Sequence, residues 1–164
     1  MSHPLIKKRM LMNKISKIIY FVISVVLFFV FDLYFSNLLI NSRLSYSENN
    51  LLDIVFVQNT GAAFSLLDNA PFILIIFAIF AMLMIIIYGV RNVEKFSTLA
   101  CFWTAMLVAG IGCNLYERLA FGYVRDFFKL KFIDFPVFNI SDIFINIGVL
   151  ALIIMIVKNK YLRK

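Results

Sequence analysis

Two aspartates, Asp126 and Asp142, are the residues of this sequence best suited to chemistry. Two carboxyl groups that share a confined site cannot both ionise at low cost, so one keeps a proton and the pair can act as a general acid and a general base. Such a pair can activate a water molecule against an amide carbonyl. Spacing alone leaves a simpler interpretation open, in which Asp126 is a solvated loop residue and Asp142 caps a helix.

Other polar residues could support this pair. Asn114, Glu117 and Arg118 are spaced so that Asn114 can share a helix face with either of the other two. Arg118 and Asn114 could hold a substrate backbone or a lipid phosphate through hydrogen bonds, or they could only anchor a helix end. Asp32, with Ser36 one turn later, could belong to the same site or could face headgroup water.

The apolar character of the chain determines which elements must position these residues. Of its 164 residues, 63% are hydrophobic and 15% are charged, and the mean hydropathy is +0.94, whereas an average soluble domain is about 45–50% apolar. Four stretches are long enough to cross a bilayer, and they cover about residues 18–40, 71–90, 96–116 and 140–157. The sequence therefore predicts an all-α membrane protein with four transmembrane helices in a single domain, and it excludes a water-soluble globule.

Basic residues beside the spans predict the orientation of the chain. Eleven of the 16 lysines and arginines lie in the N-terminal tail, in the turn that contains Arg91 and Lys95, and in the C-terminal tail. Because such residues favour the cytoplasmic side, we predict that both termini are cytoplasmic. The net charge of +7 is interpreted as this topology signal and not as a nucleic-acid surface. The candidate site residues then lie near one face, whereas a proton-coupled transporter or channel would spread its acids across the bilayer.

Two segments on the outer side are predicted to be more than linkers. Residues 51–57 are rich in β-branched and aromatic side chains and precede a turn signal at 59–61, so we expect a short strand there. Residues 118–135 combine aromatic and charged side chains, which is typical of an interfacial segment on the membrane surface. Asn139 follows Pro136 and marks the start of the fourth span.

No metal site or cofactor is predicted. Cys101 and Cys113 are twelve residues apart in one apolar span, which places them roughly 18 Å apart on a helix, too far for a disulfide. The one histidine, His3, lies in the N-terminal tail. Two isolated thiols without nearby histidines do not make a metal site.

Four segments carry a resemblance to a known family: VQNTGAAFS at 57–65, GCNLYER at 112–118, FGYVRDF at 121–127 and FNISD at 138–142. In order and spacing they resemble the motif blocks of bacterial lipoprotein signal peptidase, also called signal peptidase II. The resemblance extends from about Asp32 to the end of the last span. It implies a four-helix inner-membrane aspartic endopeptidase with an extracytoplasmic β-like cradle, which cleaves diacylglyceryl-modified prolipoproteins before the lipidated cysteine.

The resemblance also implies roles for individual residues. Asp126 and Asp142 match the catalytic dyad of the family. The matching supporting residues are Asn59, Asn114, Arg118 and Asn139, and Glu117 and Asp32 occupy further motif positions. The implied partners are lipid-modified prolipoproteins and membrane lipids, without nucleic acid. We expect a monomer in the bacterial cytoplasmic membrane with its active site at the extracytoplasmic face.

The chain departs from the family pattern at four positions. Leu33 and Ser36 stand where the family has Gln and Lys, so Asp32 lacks its expected cation. Glu117 replaces an Asp, and Cys113 replaces a Gly. The alternative hypothesis is therefore a diverged, non-catalytic homologue that binds lipoprotein signal peptides or lipids.

Overall fold

The fold combines four membrane-length helices with one two-stranded sheet in the part of the chain that the structure describes. The structure is a computed structural model and describes residues 4–41, 51–61 and 70–158. Its elements are α1 (Pro4–Asn41), β1 (Leu52–Asn59), α2 (Pro71–Asn92), α3 (Thr98–Phe121), β2 (Val124–Leu130) and α4 (Ile140–Val157). The four helices are long and apolar enough to cross a membrane, which confirms the predicted fold class.

α3 is the central helix and packs against α1, α2 and α4. It starts at Ser97, whose side chain accepts a hydrogen bond from the backbone N–H of Ala100, and this bond satisfies one of the free donors of the first turn. It ends at Gly122, where φ is 83° and a residue without a Cβ is favoured. Because its buried residues are mostly small, neighbouring helices approach it closely.

α3 and α4 approach each other closely at two glycines. A Cβ atom on Gly110 would lie 2.6 Å from the backbone oxygen of Ser141, and one on Gly148 would lie 3.1 Å from the Cβ of Leu107. At Gly112 the nearest atom to such a Cβ is 3.7 Å away, an ordinary contact. The start of α4 is therefore seated against α3 at Gly110.

The sheet lies at the end of the bundle where α3 ends and α4 begins. β1 and β2 pair antiparallel, with Val57 opposite Asp126 and Asn59 opposite Val124. On the other side of β2, the backbone N–H groups of Phe127 and Phe128 donate to the carbonyl oxygen of Phe138. β2 is thereby fixed between β1 and the segment that leads into α4.

The sequence predicts only an interfacial segment at residues 118–135. The structure corrects this prediction, because part of the segment is helix and part is strand. α3 continues to Phe121, beyond the predicted end at residue 116, and Val124–Leu130 form a strand. Phe127 is only 1% exposed and lies in the protein interior. Pairing with β1 supplies the backbone partners of this strand, a long-range effect that local composition does not reveal.

Lys17 connects α1 to the α2–α3 turn at the opposite end of the bundle. Its Nζ donates to the carbonyl oxygens of Val93, Glu94 and Phe96, at 3.1, 3.1 and 2.5 Å. These three bonds use all the donors of the ammonium group and satisfy carbonyls near the end of α2. A residue counted as a topology signal is therefore also a buried structural donor, 7% exposed.

Candidate active site

Asn139 brings the two aspartates into one hydrogen-bonded site. Its Nδ2 donates to Oδ1 of Asp126 at 3.0 Å, and its Oδ1 accepts from the backbone N–H of Asp142 at 2.8 Å. The backbone N–H of Asn139 donates in turn to Oδ2 of Asp142 at 3.2 Å. The last two bonds form a capping box, so the same contacts that start α4 also fix the Asp142 carboxyl group.

Asp126 is held from two sides on β2. Besides Asn139, Asn59 at the end of β1 donates from Nδ2 to Oδ2 of Asp126 at 2.8 Å. The Asn59 side chain is itself oriented, because its Oδ1 accepts from the backbone N–H of Gly61 at 3.0 Å. Asp126 is 1% exposed, which contradicts its interpretation as a solvated loop residue.

Asn114 joins the same network from α3. Its Nδ2 donates to Oδ1 of Asp142 at 2.9 Å, and its Oδ1 accepts from Nδ2 of Asn139 at 3.1 Å. Asn114, Asn139 and Asp142 therefore form a closed ring of hydrogen bonds. Such a ring leaves little freedom to the Asp142 carboxyl group.

Arg118 lies one helical turn after Asn114 and links α3 to the end of β1. Nη1 donates to the carbonyl oxygen of Asn114 at 3.2 Å, and Nη2 donates to that of Gly61 at 2.8 Å. Its buried Nε has no acceptor among the described residues. The guanidinium therefore keeps donor capacity for a further oxygen atom beside the two acids.

Burial raises the pKa of Asp126 to about 7, and the neighbouring negative charge of Asp142 acts in the same direction. The hydrogen bond from Asn59 and the positive charge of Arg118 oppose this rise but do not cancel it. A carboxyl group with this pKa still holds a proton in part of the population near neutral pH. The pair can therefore supply both a proton and a proton acceptor.

The site opens into a cavity of about 440 Å³ between the ends of α3 and α4 and residues 135–138. The polar side chains that line it are Asn59, Asn114, Arg118, Asp142 and Asn146. The rest of the wall is mostly apolar and includes Ile143, Ile145 and Ile147 on α4. A few polar groups in an apolar concave wall are typical of a site that binds and orients a ligand.

Asp32 and Glu117 lie outside this network. Asp32 is 2% exposed, and its Oδ1 accepts from the hydroxyl of Ser141 at 2.7 Å. Its interpretation as an acid in headgroup water is therefore wrong. Glu117 pairs with Arg125, also in the interior. Both acids contact the residue that precedes one of the two aspartates, and neither lines the cavity.

Sequence reasoning missed three residues of the site region: Ser141, Arg125 and Asn146. Arg125 falls in the segment 118–135, whose composition predicts a membrane-surface position, and its buried partner Glu117 lies eight residues earlier on α3. Asn146 lies one turn after Asp142, and its Nδ2 donates to the carbonyl oxygen of Asp142 at 2.8 Å. Among the described residues, no cluster of three or more His, Cys, Asp or Glu side chains could hold a metal ion.

Two solved structures that share this fold are described as bacterial membrane enzymes. One, determined by the in meso method at 2.3 Å resolution, has a TM-score of 0.76 and 24% sequence identity, covering 85% of this chain and 88% of its own. Another, at 1.9 Å, has a TM-score of 0.72 and 25% identity, covering 84% and 92%. The fold is thus that of a multi-pass membrane protein already seen in enzymes.

Sequence comparisons identify the family. The family model described as Signal peptidase (SPase) II matches residues 13–158. The lipoprotein signal peptidase of Streptococcus thermophilus (strain CNRZ 1066) is 34% identical over 110 residues, which cover 67% of this chain and 71% of the relative. That of Caldicellulosiruptor bescii is 39% identical over 111 residues, covering 66% and 69%. The chain belongs to the signal peptidase II family, which confirms the resemblance.

Proposed function

We propose that this protein is an aspartic endopeptidase of the bacterial cytoplasmic membrane that removes signal peptides from diacylglyceryl-modified prolipoproteins. Cleavage falls before the lipidated cysteine. The observation that carries the aspartic mechanism is the bridge through Asn139, whose side chain donates to the carboxyl group of Asp126 and whose backbone N–H donates to that of Asp142. Membership in a family of peptidases supports the reaction type.

In this mechanism, Asp142 acts as the general base on one water molecule, and Asp126 acts as the general acid on the substrate carbonyl. Asp142 lies in the first turn of α4, where the helix dipole and the Asn139 backbone N–H stabilise its negative charge, so it takes a proton from the water. The resulting hydroxide attacks the scissile carbonyl carbon while Asp126 donates its proton to the carbonyl oxygen. Collapse of the tetrahedral intermediate breaks the C–N bond: Asp142 gives the proton it took from water to the leaving amine, and a hydroxyl of the intermediate returns a proton to Asp126.

The neighbouring residues orient the substrate. Arg118 lines the cavity and can donate from the second N–H of its Nη groups, and the amide groups of Asn114 and Asn59 hold the acids in place. The apolar wall formed by α4 suits a signal peptide or an acyl chain, because both are apolar and lie at membrane depth. The basic residues beside the other ends of the helices support an extracytoplasmic active site. We infer that a single chain, acting as a monomer, holds the complete site.

The test is a cleavage assay with purified protein, a diacylglyceryl-modified prolipoprotein and its unlipidated form. Asp126→Asn and Asp142→Asn should each reduce the cleavage rate by roughly 10²–10⁴-fold, the usual contribution of general acid–base groups. Asp53→Asn is the matched control, because Asp53 lies on β1 but pairs with Lys131 outside the site. This variant should cleave at the wild-type rate.

The comparisons do not favour the alternative of a diverged, non-catalytic binding protein, and the same assay tests it directly. Folded wild-type protein that binds the lipidated substrate without cleaving it would overturn the peptidase proposal. Cleavage that survives both Asp→Asn substitutions would instead overturn the assignment of the dyad.

A further inference from the structure

A buried ion pair joins α3 to β2 directly behind Asp126. Oε1 of Glu117 accepts from Nε of Arg125 at 2.7 Å and lies 2.6 Å from its Nη2, while Oε2 accepts from the backbone N–H of Arg125 at 2.7 Å. Glu117 is 2% exposed and Arg125 is 6% exposed. One carboxylate therefore holds both the side chain and the backbone of the residue that precedes Asp126.

The guanidinium of Arg125 also contacts α1, and the Arg125 side chain is almost completely buried. Nη1 donates to Oδ1 of Asn37 at 3.2 Å, and the central guanidinium carbon lies 4.8 Å from the centre of the Phe121 ring. The pair thus connects α1, α3 and β2 at one point. The family resemblance places a lysine at position 36 of α1, but this chain has a buried serine there. The positive charge at this point of the fold is instead that of Arg125 on β2.

The geometry of a strand makes this contact relevant to Asp126. Successive side chains of a strand point to opposite faces, so Arg125 faces the helices while Asp126 faces Asn59 and Asn139. Fixing the backbone and side chain of residue 125 therefore fixes the direction in which the Asp126 carboxyl group points. Stability alone is a weak reason for such a pair, because two buried charges lose much of their attraction to desolvation.

We propose that the Glu117–Arg125 pair positions Asp126 for the reaction. This inference rests on the proposed function and deepens it, because it adds two positioning residues to the site. Neither residue contacts the cavity, so substrate binding does not depend on them. The turnover number depends on them through the placement of the Asp126 carboxyl group, since a misplacement of about 1 Å can slow a reaction by about 100-fold.

Single and double substitutions separate positioning from stability. Arg125→Met leaves the Glu117 charge without its cation, and Glu117→Leu leaves the Arg125 charge without its anion, so both variants should unfold at lower temperature in detergent. The double variant Arg125→Met/Glu117→Leu has no buried charge at this point. Its unfolding temperature should therefore be closer to that of the wild type than to those of the single variants.

Activity should not recover in the double variant. We expect kcat to stay at least tenfold below wild type while KM for the lipidated prolipoprotein stays within threefold. Recovery of kcat together with the unfolding temperature would show that the pair is only structural and would overturn the proposal. Arg125→Lys is a milder variant that keeps the charge. It should fold with a reduced kcat. A kcat equal to that of the wild type would show that the guanidinium contacts are not needed to position Asp126.

A spectroscopic readout keeps this inference separate from the proposed function. The infrared band of the Asp126 carboxyl group can be assigned by its loss in Asp126→Asn, and this measurement needs no turnover. We expect the band to shift in the double variant, because the carboxyl group loses its fixed contacts with Asn59 and Asn139. An unchanged band would overturn the positioning role even if the wild-type protein cleaved nothing. Absence of cleavage by the wild type, with a shifted band, would overturn the proposed function alone.

Discussion

The amide of Asn139 determines the geometry of the two acids at the level of single atoms. Its oxygen accepts from the backbone of Asp142, so its nitrogen must face Asp126 and Asn114. An amide oriented in this way presents only donors to Asp126. Both oxygens of Asp126 accept from an amide N–H group, since Asn59 donates to the second oxygen. On the proposed mechanism, the one proton held by the pair therefore has few positions that keep all of these bonds.

The pKa of Asp126 predicts how activity depends on pH. Burial, with the Asp142 charge, raises it from 3.8 to about 7. The proposed mechanism needs one proton on the pair, so kcat/KM should fall as the pH rises through about 7, where Asp126 loses that proton. Asn59 favours the ionised form of Asp126, so Asn59→Ala should raise this pKa further and move the falling limb to higher pH. Loss of this hydrogen bond should also reduce kcat/KM by roughly tenfold.

The measurement is a pH–rate profile of the wild type and of Asn59→Ala with the lipidated substrate. Asn92→Ala serves as the control, because Asn92 donates to the carbonyl oxygen of Tyr88 at the far end of α2. Its profile should coincide with that of the wild type. A limb that moves to lower pH in Asn59→Ala would contradict the role assigned to this hydrogen bond.

At the scale of elements, local sequence signals predicted the helices and one strand. Long apolar runs predicted four spans, and a β-branched run at 51–57 predicted β1. β2 could not be predicted in the same way, because Val124 and Phe127 become buried only when β1, more than sixty residues earlier, pairs with this segment. The buried contacts of Lys17 and Arg125 could not be predicted for the same reason, since each has its partners on other elements.

The candidate site was likewise predictable only in part, because spacing relates residues of one helix but not residues of different elements. Spacing related Asn114 to Arg118, one turn later on α3, and the structure places the Arg118 guanidinium on the Asn114 carbonyl oxygen. No spacing rule could join Asn59 to Asp126, which are 67 residues apart. The family resemblance grouped these residues because it carries three-dimensional information that a single sequence does not contain. One of its motif blocks includes Ser141, but only the structure shows that the Ser141 hydroxyl attaches the start of α4 to Asp32 on α1.

The close contact between α3 and the start of α4 leads to a prediction for Gly110. A methyl group there would collide with the backbone oxygen of Ser141, 2.6 Å from the Cβ position, and backbone cannot move aside as a flexible side chain can. Gly110→Ala should therefore destabilise the protein by about 1–3 kcal/mol. It should also reduce kcat by roughly 10–100-fold, because the shift displaces the adjacent Asp142.

Gly112→Ala is the matched control for this prediction. The nearest atom to its Cβ position is a ring carbon of Phe29 at 3.7 Å, so the methyl group fits without displacement. Thermal unfolding and cleavage of the lipidated substrate should be close to wild type. Equal effects of the two substitutions would show that the helix contact at Gly110 does not position α4.

At the scale of the whole molecule, the protein has two chemically different ends. The sheet, the candidate site and the cavity occupy one end, and Lys17 with the α2–α3 turn occupies the other. Between them, α2 contacts mainly α3 and exposes most of its apolar side chains, as expected for a helix in lipid. On the proposed topology, a bilayer lies between the candidate site and the end of the bundle that holds Lys17.

Cysteine labelling tests this orientation. Leu51, beside the start of β1, is 66% exposed, and Glu94 is exposed in the α2–α3 turn. A membrane-impermeant maleimide should label Leu51→Cys in intact spheroplasts and should label Glu94→Cys only after lysis. The native Cys101 and Cys113 are buried and should give little background. The reverse labelling pattern would place the candidate site on the cytoplasmic face.

The capping box of α4 has a further consequence, because one of its members is Asp142 itself. A protonated carboxyl group accepts hydrogen bonds more weakly than a carboxylate. On the proposed mechanism, the first turn of α4 is therefore firm while Asp142 is ionised and frays more readily once it has taken the proton of water. Each catalytic cycle is then also a cycle of loosening and tightening at one helix end, and amide exchange in this turn follows the protonation state of the enzyme.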